Sequence, residues 1–322
     1  MSNRAEPVEV AVLDDYQNVA LSMADWSGLD KRAAITVFNE HLADPDAVVA
    51  RLKSFDVVCV MRERTPMSRP IIERLPKLRL IASTALRNAS IDLEAAAERG
   101  VEVMHTGYSS TPTIELTWAL ILASARYLVA ENASLRDGGW QRFVGDDLAG
   151  RTLGVLGLGN IGGAVARIGE AFGMEVIAWS QNLTADRAAE AGATLVTKEE
   201  LFSHADIITI HLVLSRRTRG LVGADELALM KPTARLVNTS RGPIVIEADL
   251  LAALRNGKIA GAAIDVFDQE PLLPDHPFRS QANLLATPHL GYVSRGLYAR
   301  FYQDTVDNIR KWLDAREDAD AN

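Results

Sequence analysis

Three polar residues of types that are common in active sites follow the ends of short apolar segments. Arg241 lies in NTSRGPIV, Glu270 in DVFDQEP and His289 in TPHLGY. Open parallel sheets bind ligands at the carboxyl ends of their strands, so these positions favour one common crevice. Reduction of a 2-oxo acid needs a cation for its carboxylate and carbonyl oxygens, and a proton donor active near neutral pH. A guanidinium and an imidazole at these positions would suit the reduction of a small 2-oxo acid, or the reverse oxidation of a 2-hydroxy acid.

Glu270 is predicted to assist the imidazole. A carboxylate that accepts a hydrogen bond from the far ring nitrogen fixes the tautomer and favours the protonated ring until the proton is donated. An isolated Arg, Glu or His is more often a surface ion-pair partner than a catalyst, so the three residues alone leave both interpretations open. We assign no catalytic role to His105, His204, His211 and His276, and the acidic residues show no spacing typical of a metal site.

The glycine-rich segment 157–162, GLGNIG, lies between the apolar segment TLGVL and a helical pattern. Gly157 permits a tight turn, Gly159 lets a pyrophosphate approach the backbone, and Gly162 lets helix and strand pack closely. Asn160 and Ile161 begin the helix, whose N-terminus faces the anion. The segment predicts a binding site for NAD or NADP; the alternative is a plain strand-to-helix turn.

The position that selects between NAD and NADP is neutral in this chain. A dinucleotide-binding fold usually presents Asp or Glu to the ribose hydroxyls at the end of the next strand. Here the strand MEVIAW is followed by Ser180, Gln181 and Asn182, and the nearest cation further along the sequence is Arg187. No carboxylate repels a 2′-phosphate and no adjacent Arg attracts one, so the sequence leaves the choice open.

Short apolar segments alternate with helical patterns, as is typical of parallel sheets covered by helices. Ser90 is predicted to cap one of the helices, 91–99, and Gly100 to end it. A first set of elements comprises strands at 8–13, 35–38, 57–61 and 78–82, with helices near 46–53 and 91–99. A second set comprises strands at 101–104, 152–156, 175–179, 206–212, 235–238, 261–266 and 283–286, with helices near 113–129, 161–172 and 247–255, and a last helix spans 294–314.

Length and composition limit the classes of protein. A chain of 322 residues favours two domains. The formal net charge of −8 argues against a nucleic-acid or anionic-membrane partner. The N-terminus lacks a signal-peptide pattern, and no uncharged apolar segment reaches the ~18 residues that span a bilayer. Cys59 is the single cysteine and lies in an apolar segment, so we expect a core thiol and a reducing cytoplasm.

From about Leu75 to Tyr292 the chain resembles the D-isomer-specific 2-hydroxyacid dehydrogenase family, which includes phosphoglycerate dehydrogenase and glyoxylate/hydroxypyruvate reductase. The segments that carry the resemblance are ASTALRNASIDLEAAAERGVEV, TIELTWALILASAR, LAGRTLGVLGLGNIGGAVAR, LMKPTARLVNTSRGPIV, LLAALRNGKIAGAAIDVFDQEPL and ATPHLGY. The resemblance implies an α/β protein with two doubly wound parallel-sheet domains. A Rossmann cofactor domain, 101–289, would be inserted in a flavodoxin-like substrate domain formed by 1–100 and 290–322.

The resemblance also implies roles for individual residues. Arg241 would orient the substrate, Glu270 would pair with His289, and His289 would donate the proton. Asp265 would hold the nicotinamide carboxamide. The cofactor cleft would be lined by the segment from Asn238 and Thr239 to Arg241.

Backbone amides near Leu86 and Arg87 would grip the substrate carboxylate in such a family member. The product would be a D acid, and the chain would form a homodimer through the helix near 113–130. Two positions depart from the family pattern, Ala85, where many members have Gly, and the missing ribose acid at Ser180.

Two alternatives are kept. A non-catalytic NAD-binding regulator could use the same fold, because a fold does not determine function; the intact Arg241, Glu270 and His289 favour an enzyme. A formate dehydrogenase relative would carry Gln in place of Glu270.

Overall fold

The chain folds into two compact units, each with its own parallel sheet. The computed structural model describes residues 6–321, with side chains through 318. The first unit is formed by the residues up to Ser109 together with those from Ser294 onward, and the second unit is Ser110–Val293. The sequence analysis placed these boundaries at 100/101 and 289/290.

The first unit contains a five-stranded sheet in the order β2-β1-β3-β4-β5, with every strand parallel to its neighbours. This is the flavodoxin-like order. The strands are β1 Val8–Val12, β2 Ala33–Val37, β3 Val57–Val60, β4 Leu80–Ser83 and β5 Glu102–His105. The helices are α1 Ala20–Met23, α2 Pro45–Leu52, α3 Arg69–Ile72, α4 Leu93–Glu98 and the C-terminal helix Arg295–Ala321.

The second unit contains a seven-stranded parallel sheet in the order β12-β11-β10-β9-β6-β7-β8. Its strands are β6 Thr152–Leu156, β7 Glu175–Trp179, β8 Thr194–Leu195, β9 Ile207–Ile210, β10 Arg235–Asn238, β11 Gly261–Ile264 and β12 Leu284–Ala286. Its helices are α5 Thr111–Ala125, α6 Leu128–Arg136, α7 Asn160–Ala171, α8 Ala185–Glu190, α9 Lys198–His204, α10 Ala224–Leu229 and α11 Glu247–Arg255. The order reverses between β6 and β9, where a doubly wound sheet opens its ligand crevice.

Apolar layers cover both faces of this second sheet. Leu236 and Val237 are neighbours in β10 and therefore point to opposite faces. Leu236 packs in the same apolar cluster as Phe202, and Val237 packs in the same cluster as Trp118. The predicted fold class, two doubly wound α/β domains, is confirmed.

Two local predictions are wrong. The strand near 101–104 was assigned to the second set, but β5 pairs with β4 of the first sheet, with Leu80 opposite Glu102. A strand's position along the chain does not reveal its partner. Ser90 does not cap α4, because its amide and hydroxyl both donate to Asn88 Oδ1; Asp92 caps the helix by accepting from the Ala95 amide.

Among the described residues no single helix is long and apolar enough to cross a membrane. The helices α5 and α6 reach that length and composition only as a pair bent by 62°. The bend falls at Tyr127, which has φ 50°.

Candidate active site

Glu270 and His289 form a direct contact on the second unit. The Nδ1 atom of His289 lies 2.5 Å from Glu270 Oε2, and Glu270 Oε1 accepts a hydrogen bond of 3.0 Å from the Phe267 amide. Both carboxylate oxygens are therefore fixed. The ring of Tyr292 meets the imidazole edge to face at 5.1 Å. The side chain of His289 remains 21% exposed, so its Nε2 can meet a ligand.

A buried carboxylate, Asp265, holds the loop that carries His289. Asp265 directly follows β11 and is completely buried. Its Oδ1 accepts from Thr287 Oγ1 at 2.6 Å and from the Leu290 amide at 2.7 Å, and its Oδ2 accepts from the Gly291 amide at 2.7 Å. Burial raises the pKa of Asp265 against these hydrogen bonds, which lower it. The contact with a nicotinamide carboxamide stays a prediction.

Arg241 lies at the same edge of the sheet, after β10. Its carbonyl oxygen accepts from Asn238 Nδ2 at 3.0 Å, and its Nη1 donates to the Ser240 carbonyl at 2.8 Å. The next residue, Gly242, packs so closely that an added Cβ would overlap the Phe267 carbonyl group. Gly242, the residue after Arg241, therefore packs directly against Phe267, whose amide donates to Glu270.

The glycine turn between β6 and α7 leaves space where a pyrophosphate would lie. Gly157 has φ 104°, and a Cβ on Gly162 would overlap the Gly157 carbonyl oxygen, so both positions require glycine. A Cβ on Gly159, in contrast, would meet no atom within 4 Å. The first turn of α7 carries no acidic residue. The amides of Gly159, Asn160 and Ile161 at this helix N-terminus fit the pyrophosphate of a dinucleotide.

The other residues predicted at the cofactor cleft also follow strand ends. Asn238 is buried and its Oδ1 accepts from the Ser240 amide at 3.0 Å. Thr239 Oγ1 lies 2.8 Å from Thr117 Oγ1. Ser180 follows Trp179, whose carbonyl accepts from the Gly157 amide at 2.9 Å. A hydrogen bond thus joins the end of β7 to the glycine turn, at the point where a ribose is expected.

Leu86 and Arg87 belong to the first unit, in the loop after β4. Ala85 has φ 65°, so this alanine adopts the backbone conformation that glycine favours. The Ala85 amide donates to Thr106 Oγ1 at 2.7 Å, and Asn88 Nδ2 donates to the Arg62 carbonyl at 2.6 Å. Between these anchors Leu86 is 67% exposed and Arg87 is exposed.

Comparisons with known proteins agree with this geometry. Residues 118–291 match the family model described as D-isomer specific 2-hydroxyacid dehydrogenase, NAD binding domain. Glyoxylate reductase of Aeropyrum pernix is 42% identical over 249 residues, which are 74% of this chain and 74% of that protein. D-3-phosphoglycerate dehydrogenase of Methanocaldococcus jannaschii is 40% identical over 288 residues, which are 88% of this chain and 53% of that longer protein.

A solved structure of phosphoglycerate oxidoreductase from Vibrio cholerae o395 superposes with a TM-score of 0.91 at 36% identity, covering 96% of this chain and 99% of that one. The chain belongs to the D-isomer specific 2-hydroxyacid dehydrogenase family. This dehydrogenase is accordingly an NAD(P)-dependent oxidoreductase that transfers hydride between nicotinamide and a 2-hydroxy or 2-oxo acid, as predicted. The relatives give no support to a non-catalytic regulator.

The sequence analysis assigned His211 no role, and the structure places the backbone of this residue beside the glycine turn. His211 follows β9, and a Cβ on Gly157 would lie 2.8 Å from the His211 carbonyl group. Its Nε2 lies 2.9 Å from Thr209 Oγ1. Burial lowers the pKa of His211 to about 3, so the imidazole is neutral. Its place at the end of the apolar segment DIITI is the same signal that singled out His289.

Proposed function

We propose that His289 is the acid–base catalyst of the dehydrogenase and that Arg241 binds the substrate carboxylate and carbonyl oxygen. The bound nicotinamide supplies or accepts the hydride. Glu270 engages Nδ1 of His289, so Nε2 is the atom that gives its proton to the C2 oxygen in reduction and takes it back in oxidation. The observation that carries the proposal is the doubly anchored Glu270 beside an imidazole that is 21% exposed.

Arg241 contributes a charge of fixed position. A guanidinium donates two parallel hydrogen bonds to a carboxylate and remains protonated throughout the reaction. It also stabilises negative charge that develops on the C2 oxygen, which is the effect of a preorganised electrostatic site. For the first unit taken by itself, the backbone amides around Leu86 and Arg87 are the proposed binding groups for a carboxylate.

Alanine substitution of His289 tests the catalytic assignment. General acid–base catalysis contributes a factor of about 10²–10⁴, so His289→Ala should lower kcat by this amount while the affinity for reduced cofactor, measured by calorimetry, stays unchanged. His204→Ala removes an exposed imidazole on α9 and serves as the control. Glu270→Gln should move the decline of the reduction rate to lower pH, because the protonated ring loses its anionic partner. Turnover of His289→Ala within a few fold of the parent would refute the assignment.

The proposed substrate is a small 2-oxo acid, and the names of the relatives suggest which acids to test. One relative is called glyoxylate reductase and another D-3-phosphoglycerate dehydrogenase. An absorbance screen at the reduced-nicotinamide band with glyoxylate, hydroxypyruvate, phenylpyruvate and 3-phosphohydroxypyruvate ranks these candidates. The product is proposed to be the D acid, which chiral chromatography checks.

We also propose a homodimer that buries the surface of α6 and the segment after it. This surface contains six exposed apolar side chains, Leu128, Val129, Leu135, Trp140, Phe143 and Val144, of which Val144 is 95% exposed. Glu131 orders the segment by accepting hydrogen bonds from the Arg142 and Phe143 amides. Ordered apolar patches of this kind mark interaction sites. Trp118, in contrast, is buried and stacks on Phe172, so it belongs to the core of the unit.

Light scattering on charged variants tests the dimer. The parent should have twice the mass of one chain, and Val144→Glu combined with Trp140→Glu should give the monomer mass, because burying two unpaired carboxylates is costly. Leu229→Glu places the same charge on an exposed apolar residue of α10, outside this surface, and should remain dimeric. A double variant that stays dimeric would exclude this surface as the interface.

The proposed setting is the cytoplasm, with no nucleic-acid or membrane partner. The net charge of −8 and the single cysteine support it. The thiol of Cys59 is buried, and burial raises its pKa to about 12, so it is a poor nucleophile. Cell fractionation with an antibody to the chain checks the compartment.

A further inference from the structure

The turn after β7 carries the cofactor choice that the sequence leaves open. Trp179 ends β7 opposite Leu156 of β6, and its carbonyl binds the Gly157 amide. Ser180 is therefore the first residue past the strand that adjoins the glycine turn, and it is half-buried. In dinucleotide-binding folds the side chain at this point faces the adenosine ribose.

This turn is short and electrically neutral. The Leu183 amide donates to the Ser180 carbonyl at 3.0 Å and closes the turn, while the Leu183 side chain packs against the core beneath it. Gln181 and Asn182 are left exposed. The first acidic residue after β7 is Asp186, in the first turn of α8. No carboxylate thus lies within the turn to accept hydrogen bonds from a ribose diol or to repel a phosphate.

Two arginines lie on the helices that precede and follow this turn in the sequence, α7 and α8. Arg187 lies in the first turn of α8, where its amide donates to Thr184. Arg167 reaches back along α7, so that its Nη1 lies 3.8 Å from the point where a Cβ on Gly163 would be. In the part of the chain that the structure describes, no side-chain hydrogen bond joins a cation to residues 180–183. Among the described residues, no cation held at the turn by a hydrogen bond therefore imposes a requirement for a 2′-phosphate.

We propose that the subsite formed by Ser180, Gln181 and Asn182 accepts the adenosine ribose with or without a 2′-phosphate, so that the dehydrogenase uses both NAD(H) and NADP(H). The inference rests on the proposed placement of the dinucleotide at the glycine turn. A ribose 2′-hydroxyl can bond the Ser180 hydroxyl and the two amide side chains. A 2′-phosphate can accept from the same groups, because a hydroxyl and amide nitrogens are donors as well.

Calorimetric titration of the full-length protein tests the subsite apart from turnover. The ligand pairs are NADH with NADPH, and AMP with adenosine 2′,5′-bisphosphate, which differ only by the 2′-phosphate. We expect the two Kd values in each pair to agree within about tenfold. A 2′-phosphorylated ligand that binds more than about tenfold weaker, or an unphosphorylated ligand that does so, would overturn the inference.

Substitutions at Ser180 test whether this residue sets the ratio of the Kd values of NADPH and NADH. Ser180→Asp introduces a carboxylate and should raise the Kd of NADPH relative to NADH by about tenfold or more, through like-charge repulsion. Ser180→Asn is neutral and of almost the same size as Asp, so it should leave the ratio unchanged. An unchanged ratio in Ser180→Asp, or an equal shift in Ser180→Asn, would place the ribose elsewhere and overturn the inference.

The outcomes separate this inference from the function on which it rests. If neither member of a pair binds, the dinucleotide does not lie at the glycine turn, and the proposed function and this inference both fail. If both ligands bind with strongly different Kd values, the inference alone fails. If Ser180→Asp does not fold, the titrations of the unsubstituted protein decide.

Discussion

Two carboxylates bind different parts of the segment that carries His289, the proposed proton donor. Glu270 bonds to the ring, whereas Asp265 bonds to the amides of the two residues that follow His289. His289 has φ 54°, and the left-handed region costs a residue with a Cβ roughly 1–2 kcal/mol. Hydrogen bonds to a buried carboxylate contribute about 1.5–3 kcal/mol each, enough to hold this conformation. Asp265 thus fixes the backbone that carries His289.

His211 should make stability depend on pH at the scale of a single residue. Its pKa is about 3 in the folded protein because of burial, below its ordinary value of 6.5. Above pH 6.5 the imidazole is neutral in both the folded and the unfolded chain, so the folded protein has its full stability. As the pH falls below 6.5, only the unfolded chain binds the proton, and the free energy of unfolding decreases. Between pH 7.5 and 5.0 the free energy of unfolding should fall by about 1–2 kcal/mol more in the parent than in His211→Asn.

Urea unfolding followed by tryptophan fluorescence at the two pH values measures this difference. The comparison with the variant cancels the titration of every other group. Equal pH dependence in both proteins would show that the imidazole of His211 can be protonated without unfolding.

At the scale of elements, the unit formed by β6, the glycine turn and α7 contains one glycine that packing requires and another that only ligand binding requires. Gly159 faces open space, so Gly159→Ala should change the free energy of unfolding by less than about 1 kcal/mol, the usual cost of Ala at a helix N-cap. Its methyl group would occupy the space of the pyrophosphate, so the Kd for ADP should rise by about tenfold or more. Calorimetry and thermal unfolding measure the two quantities.

Gly162→Ala is the matched control in the same unit. Its methyl group would overlap the Gly157 carbonyl oxygen, so this substitution should cost roughly 1–3 kcal/mol of stability through overpacking. If the two variants lose the same stability, or if Gly159→Ala binds ADP normally, the interpretation of the turn is wrong.

Strands were predictable from the sequence where burial of both faces requires a continuous apolar segment. The strands β6 and β9 read as continuous apolar segments because both of their faces are covered. The strand β8 has two exposed residues and gives no such signal. The partner of β5 and the cap of α4 depend on contacts that composition does not encode. For α4, Ser90 and Asp92 are both good caps, and the bond from Ser90 to Asn88 decides between them.

The site was predictable through residue types at the ends of strands. That rule, with the family resemblance, selects Glu270 and His289, which the structure brings into contact. It does not reveal that Asp265 accepts from backbone amides, because every residue except proline carries such a donor. The same rule applied to His211 would have added it to the crevice. The roles of these residues stay predictions until the substitutions are measured.

At the scale of the whole molecule, the second unit contains its own core and its own sheet. Phe202 and Leu236 lie in one of its apolar clusters, and Leu153 and Val237 lie in the other. Both clusters are formed within residues 110–293, which also contain the glycine turn and the pair Glu270–His289. The chain enters and leaves this unit once each, so it can be excised as a continuous fragment.

We therefore expect the fragment 110–293 to fold alone and to bind nucleotide. It should unfold cooperatively by circular dichroism, and its Kd for ADP should lie within about threefold of the full-length value, because the predicted pyrophosphate and ribose contacts are all internal to it. It should show no turnover with any 2-oxo acid, because the loop at Leu86 and Arg87 is absent. The fragment with Gly159→Ala is the control and should fold but bind ADP about tenfold or more weakly than the unsubstituted fragment. A fragment that folds but does not bind, while the full-length protein does, would show that the cofactor site needs residues outside this unit.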